Sequence, residues 1–234
     1  KTIEGNEPTP TTSGVIEIPT NLNVSIQTNA AKTQFDDIII SNLQGNLVIQ
    51  NGSLKLSNGS IGIIGATAKM DAFYKNEGTQ KAYFDYKINA SEFDIKRAYN
   101  EIKMFRGIVT AAENAEGIVG LDYSIKGVLN HQMEPIMPSL EGSGILSVKK
   151  VKMKGFKLLN VVAAKTENSD LKDPDISKVA IKTTIKNNIV TIERFKFKVA
   201  GFRLRFEGQT SLDGKLNLKI RVGLPPLGIL GIPI

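Results

Sequence analysis

The chain has 234 residues, no cysteine, a single histidine and a net charge of +7. Without cysteine there are no disulfides, thiolate metal sites or cysteine nucleophiles, and one imidazole leaves little scope for zinc sites or catalytic triads. The excess of lysine and arginine favours anionic surroundings, whereas the absence of tryptophan argues against binding of single-stranded nucleic acid.

The first fourteen residues are polar and rich in proline and threonine, which predicts a flexible linker over residues 1–14. Residues 15–234 are predicted to form one β-rich domain; if it divides at all, the boundary is expected in the polar loop 165–174. The chain does not begin with Met, and no apolar run reaches the length of a membrane helix. We therefore expect a piece of a longer protein.

The dominant hydrophobic period is two residues, which is the period of a β-strand. Asn51-Gly52 and Asn58-Gly59 are strong hairpin signals and predict turns between short strands. The strands are expected over 22–28, 38–40, 47–49, 54–56, 61–63, 83–88, 117–129 and 144–153.

Helices are expected to be few. The spacing of apolar residues predicts one helix over 94–105, with Asp94 as its N-cap and Gly107 closing it. A turn of helix over 135–140 and a short helix over 156–164 are also indicated.

The C-terminal third alternates most regularly, and Asn187-Asn188 and Asp213-Gly214 mark its turns. Its apolar residues are predicted to share one face of an antiparallel meander, and its cations the other. The cations between the apolar positions are Lys178, Lys182, Lys186, Lys196, Lys198, Arg203, Arg205, Lys215, Lys219 and Arg221.

Close pairs of carboxylates are the first candidates for chemistry. Asp36 and Asp37 are neighbours on a strand and would point to opposite faces, so they cannot easily share a substrate or metal. Asp173 and Asp175 flank a proline in a turn, where aspartate caps backbone groups. His131 is expected in an exposed loop.

Glycine pairs are the second candidates. Gly62/Gly65 and Gly142/Gly144 neither follow a strand nor open a helix with the spacing of a nucleotide loop, so turns, bulges or close contacts within a sheet are expected. We predict no catalytic residue, no metal ligand and no cofactor, and interpret the chain as not an enzyme.

A sheet with one apolar face must bury that face against something. Because few helices are predicted, the sheet must curl on itself, pair with another sheet or hold an apolar ligand. The predicted fold is mainly β with a few short α-helices: a long, antiparallel, twisted sheet curled into a groove or partial barrel.

Four stretches, in their order and spacing, resemble the AsmA-like C-terminal region of bacterial envelope proteins of the AsmA/TamB type. They are 40–56 (ISNLQGNLVIQNGSLKL), 90–97, 121–146 and 206–216 (FEGQTSLDGKL). The resemblance implies a periplasmic domain of a diderm bacterium, held by an N-terminal membrane anchor that lies outside the printed sequence. It also implies a groove for phospholipid or another lipid and a role in outer-membrane lipid homeostasis or assembly.

The residues expected to line the lipid groove are Phe195, Phe197, Phe202, Leu204, Phe206, Leu216, Leu218 and Ile220. The expected basic face comprises Lys182, Lys186, Lys196, Lys198, Arg203 and Arg205. The apolar tail 224–234 is expected to pack on Leu216 and Ile220.

Two other functions stay open at this point. A scaffolding module would bind another envelope protein through a sheet edge. An anionic-polymer binder would use the lysine face, although nucleic acid is not an expected partner. The identity of the lipid, the direction of transport and the oligomeric state are not predicted.

Overall fold

The computed structural model describes residues 14–35, 38–155, 160, 163–164, 169, 173–199 and 201–223. Eleven strands follow one another along the described chain and form a single antiparallel sheet in sequence order. The strands are β1 (Asn23–Phe35), β2 (Ile38–Gln50), β3 (Ser53–Ile63), β4 (Ala66–Glu77), β5 (Lys81–Asp94), β6 (Ala115–Leu129), β7 (Glu141–Met153), β8 (Asp175–Lys186), β9 (Ile189–Val199), β10 (Phe202–Ser211) and β11 (Leu216–Gly223).

The sheet is a meander in which every strand pairs with its neighbours in sequence. The sheet curls without closing into a barrel, which confirms the predicted fold class. Among the described residues β1 therefore pairs only with β2, and β11 only with β10. In the part of the chain that the structure describes, both outer strands thus keep one edge without a partner strand.

Tight turns join several of the strands. Asn51 and Gly52 have φ of 53° and 69°, and Asn187 and Asn188 have φ of 52° and 63°. Asparagine and glycine adopt this left-handed region most easily, and two such residues in succession match the twist of a hairpin. The hairpins predicted at these two dipeptides are confirmed.

The hairpin predicted at Asn58-Gly59 is wrong, because both residues lie inside β3. Asn58 has φ of 52°, but the strand continues past it through a bulge between Leu56 and Gly59. A Cβ on Gly59 would come within 2.4 Å of the Met70 carbonyl oxygen, so the close approach of β4 requires glycine here. The chain turns instead at Ile64-Gly65.

The helix predicted over 94–105 is two helices, α1 (Ile95–Glu101) and α2 (Lys103–Ile108). Asp94 caps α1 as predicted, accepting a hydrogen bond from the Arg97 backbone N–H at 2.9 Å. Ile102 breaks the helix with φ of −112° and ψ of 102°. Gly107 does not end it, because α2 continues to Ile108.

Smaller segments complete the description. Met137–Ser139 forms a turn of 3-10 helix inside the predicted segment 135–140, and His131 lies exposed in a turn. The linker 1–14 up to residue 13, the Asp36-Asp37 pair and the tail 224–234 lie outside the described residues. So do most of the predicted helix 156–164 and most of the loop 165–174.

Both helices lie on the face of the sheet that holds the buried apolar side chains, called here the inner face; the opposite side is the outer face. Along β6 and β7 the inner residues pair as Val119 with Val148 and Leu121 with Leu146. Every described buried side chain in the core is apolar or tyrosine. The period-two pattern thus puts one apolar row of each strand inside.

Candidate functional site

A roof covers the middle of the inner face. It consists of α1, α2, the 3-10 segment Thr110–Asn114 and the loop 130–140. Helix α1 packs on β5 and β6 from one end of the strands, and the loop comes from the other end. The two parts meet where Gly107 faces the Met137 side chain, because a Cβ at Gly107 would be 2.8 Å from Met137 Cε. Val15 and Ile18 also pack on the inner face, and Ala163 is buried in the same cluster as Phe197. Within the described residues, this cover does not extend over the whole inner face.

The first flank of the inner face is formed by β1, β2 and β3. The register places Val24 beside Ile49 and Leu54, and Ile26 beside Leu47. Ile49, Leu47 and Leu54 are half-buried, and Ile26 is 45% exposed. This flank is therefore an apolar surface without a complete cover in the described protein.

The second flank contains the predicted groove residues on β9, β10 and β11. The register places them on one face, in rows that run Phe197–Leu204–Val222 and Phe195–Phe206–Ile220. The rings of Phe195 and Phe206 stack with centroids 5.6 Å apart, and Phe197 lies 5.9 Å from each.

Burial divides this set. Leu204 is 1% exposed and Phe197, Phe202 and Phe206 are also buried, whereas Phe195, Leu218 and Ile220 are only half-buried. The backbone of Leu216 pairs with Thr210, and the side chain of Leu216 is outside the described part. The predicted groove lining thus contains both packed core residues, mostly on β10, and half-buried residues, mostly on β11.

Three tyrosines contribute hydroxyl groups to the inner face. Tyr74 donates a hydrogen bond to the Ile16 carbonyl at 2.8 Å, and the hydroxyls of Tyr123 and Thr183 lie 3.0 Å apart. Burial raises the pKa of Tyr74 and Tyr123 above the ordinary value. Burial, with a smaller contribution from Tyr74, raises the pKa of Tyr86 to about 12. These phenols stay neutral at all physiological pH values.

The raised pKa of Tyr86 predicts a loss of stability in alkali. Tyr86 ionises near pH 10.0 in the unfolded chain, while in the folded chain it keeps its proton up to about pH 12. Its contribution to the free energy of unfolding is therefore complete below pH 10.0 and declines as the pH rises through this window. We expect Tyr86→Phe to lose less stability than the wild type across it. Urea unfolding at pH values on both sides of 10.0 measures this difference, and parallel losses in the two proteins would contradict it.

Cations of the second flank occupy the outer face in two cross-strand rows, named here the basic rows. The first row is Lys196, Arg205 and Arg221, which lie directly opposite one another on β9, β10 and β11. The second row is Lys198 and Arg203, next to Gly223. Alternation already predicts Arg221 on the cationic face, and the register adds that it lies directly opposite Arg205.

A trough of about 530 Å³ runs between the basic rows. Its walls are the five cationic side chains, and its floor is the stretch of β9, β10 and β11 at Phe197, Leu204 and Val222. The side chains of those three residues point to the inner face, so the trough belongs to the outer face.

Two predicted members of the basic face, Lys182 and Lys186, are exposed on the outer face of β8 but lie away from the basic rows. The pairing of β8 with β9 covers only Thr183–Lys186 against Ile189–Ile192, so Lys182 lies beyond the last paired position. Lys186 pairs with Ile189, which is seven residues and so about 23 Å along β9 from Lys196. The basic rows therefore contain four of the six predicted residues, namely Lys196, Lys198, Arg203 and Arg205.

The remaining candidates have structural roles or none. Asp173 accepts a hydrogen bond from the Gly155 backbone N–H at 3.0 Å, in keeping with a capping aspartate, and Asp175 pairs with Lys152 across β7 and β8. Within the described ranges no three His, Asp or Glu side chains cluster as metal ligands would. None of the described helices has the length and hydropathy needed to cross a bilayer.

A scan against protein-family models gives no match, and searches of curated proteins and of solved structures also find none.

Proposed function

We propose that the chain is a non-catalytic module that shields or conveys lipid acyl chains along the inner face of its curled sheet. The observation that carries the proposal is the mismatch between the apolar inner face and its roof. The roof lies over the middle strands, while apolar side chains on both flanks remain half-buried or exposed, as at Ile26 and Leu218.

The energetics favour an apolar occupant on these flanks. Apolar surface in water costs about 25 cal/mol per Å², and extended apolar patches on folded proteins mark binding sites. Ile26, Leu47 and Leu54 form such a surface on adjacent strands. An acyl chain needs no hydrogen-bonding partner, so a face built of aliphatic side chains suits it.

The resemblance to the AsmA-like region supports the same role. It implies that the lipid is a phospholipid or another lipid, that the module works in the periplasm of a diderm bacterium, and that the full protein is held at a membrane by an N-terminal anchor. These attributes belong to the proposal. The exposed single histidine and the structural roles of Asp173 and Asp175 support a protein that is not an enzyme.

The test is site-specific photocrosslinking to phospholipid. A benzophenone amino acid would replace Leu218, which is half-buried on the inner face, and in a second protein its neighbour Asn217, which is exposed on the outer face. We expect phospholipid adducts at Leu218 and few at Asn217, because neighbours on a strand point to opposite faces. A second matched pair, Ile26 and Gln27, samples the first flank.

Mass spectrometry of the illuminated protein counts the adducts at each position. Equal labelling within both pairs, or no labelling at Leu218 and Ile26, would contradict an inner lipid groove. Extracting lipid from the purified wild-type protein gives an independent measurement.

A second candidate function is scaffolding through a sheet edge. Strand β1 has thirteen residues, Lys32 is its only charge, and it contains no proline. Such an edge lacks the usual protection against pairing with another strand. A protein partner whose binding is lost on Ile26→Pro or Thr28→Pro, with the lipid adducts at Leu218 unchanged, would favour this function.

A further inference from the structure

The basic rows repeat like charges directly across neighbouring strands. Lys196 opposes Arg205, which opposes Arg221, and Lys198 opposes Arg203. Like charges at directly opposite positions destabilise a sheet. The nearest carboxylate along β10 is Glu207, and Arg194 holds it with two hydrogen bonds of 2.7 and 3.1 Å.

Elsewhere on the outer face, residues of opposite charge lie across from each other. Asp71 lies opposite Lys87, and Asp85 opposite Lys126, which in turn forms a 3.2 Å ion pair with Glu141. The outer face therefore places opposite charges next to each other across β4 to β7, whereas positive charges lie together across β9 to β11. From Ile189 to Gly223 the sequence has eight Lys and Arg against three Asp and Glu.

We propose that the basic rows are a docking surface for a bilayer that carries anionic phospholipid headgroups. The five cations project from one sheet face on a grid of about 4.8 Å between strands and about 6.7 Å along them. Long Lys and Arg side chains can extend their charged ends to a common plane while their aliphatic stems cover the sheet. Headgroup phosphates would enter the trough and contact both rows, which removes the repulsion within each row.

Nucleic acid fits this surface less well. Single strands bind on exposed aromatic rings, and the four phenylalanines of β9 and β10 all point to the inner face. Duplex recognition places a helix or a narrow ribbon in a groove, which a broad sheet face cannot enter. A membrane surface needs neither stacking nor insertion.

The inference does not depend on the lipid groove, because its residues lie on the other side of the sheet. Loss of crosslinking at Leu218 would leave it intact, and loss of vesicle binding would leave the groove intact. If both hold, one face of the second flank contacts headgroups while the other accepts acyl chains.

The test is flotation of the whole chain with vesicles of phosphatidylcholine alone or doped with phosphatidylglycerol. We expect binding only to the doped vesicles, weakening as salt is added. Arg205→Glu changes the charge of the first row by two units. Because each unit of charge contributes about fivefold to membrane affinity, we expect this variant to bind about 25-fold more weakly. The new carboxylate lies opposite Lys196 and Arg221, so the thermal stability should be unchanged or higher.

Lys69→Glu is the matched control, because it makes the same change in net charge on the outer face of β4, opposite Ser60 and Asn89. It should weaken binding by less than about fivefold. The proposal is overturned if the wild type ignores phosphatidylglycerol or if Lys69→Glu weakens binding as much as Arg205→Glu. It is also overturned if an oligonucleotide binds more tightly than the doped vesicles at the same salt concentration.

Discussion

Replacing Phe84 by Ala is expected to lower the free energy of unfolding by about 3–5 kcal/mol. Phe84 is 2% exposed, on the inner face of β5 under the roof. Its ring lies 4.9 Å from that of Tyr86 and against Gly127, where a Cβ would come within 3.3 Å of Phe84 Cε1. Removing the ring leaves a cavity that the paired strands on either side cannot collapse to fill.

Phe73 provides the matched control on the neighbouring strand. It faces the outer side of β4 and is 36% exposed, so Phe73→Ala should cost about 1 kcal/mol or less. Equilibrium unfolding in urea, followed by circular dichroism, measures both variants. Similar losses for the two would mean that the roof does not bury the inner face as described.

The fold class could be predicted because the signals for strands and turns lie in the local sequence. Alternation along β8 to β11 assigns each side chain to a face, and the asparagine turns at Asn51-Gly52 and Asn187-Asn188 fix where the chain reverses. Strands joined by turns this short can pair only in antiparallel fashion, which sets the pairing of β2 with β3 and of β8 with β9. That the sheet curls followed from the shortage of helices to cover its apolar face.

The errors arose where a local signal has two physical meanings. Asn58 with φ of 52° suits a hairpin or a bulge equally, and the choice depends on how closely β4 approaches Gly59. Likewise, the apolar stripe of residues 94–105 is continuous, so the break at Ile102 depends on contacts with the sheet beneath. Neither contact is encoded in the neighbouring sequence.

The sequence predicted which residues form the candidate site, but it did not predict how they are arranged on the sheet. Alternation put the cations of the last strands on one face, yet only the register shows that Lys196, Arg205 and Arg221 form a row. The incomplete pairing of β8 and β9 separates Lys182 from that row. The helical segments of the roof were predicted, but their position over β5 and β6, which divides the inner face into two flanks, depends on tertiary contacts.

A single row of residues crosses the middle of the sheet, and glycine is essential to it. Tyr123 pairs with Gly144, which pairs with Thr183, so three neighbouring strands contribute one residue each. The Tyr123 ring lies across Gly144 and Gly142, and its hydroxyl lies 3.0 Å from that of Thr183. The tyrosine thus spans β7 from β6 to β8, which is possible only because β7 has no side chain beneath it.

Gly144→Ala should therefore destabilise the protein by about 3 kcal/mol, at the upper end for overpacking by one methyl group. The added Cβ would lie 2.2 Å from the Asp122 carbonyl oxygen and 2.4 Å from Tyr123 Cδ2, so backbone and ring must both move. In a Tyr123→Ala background, where the ring contact is absent but the contact with the Asp122 carbonyl oxygen remains, Gly144→Ala should cost less than in the wild type but should still destabilise. Gly223→Ala is the control: its nearest atom would be 3.5 Å away, and its stability should match the wild type in urea unfolding. Equal stability of Gly144→Ala and Gly223→Ala would show that the tyrosine does not cross β7 in this way.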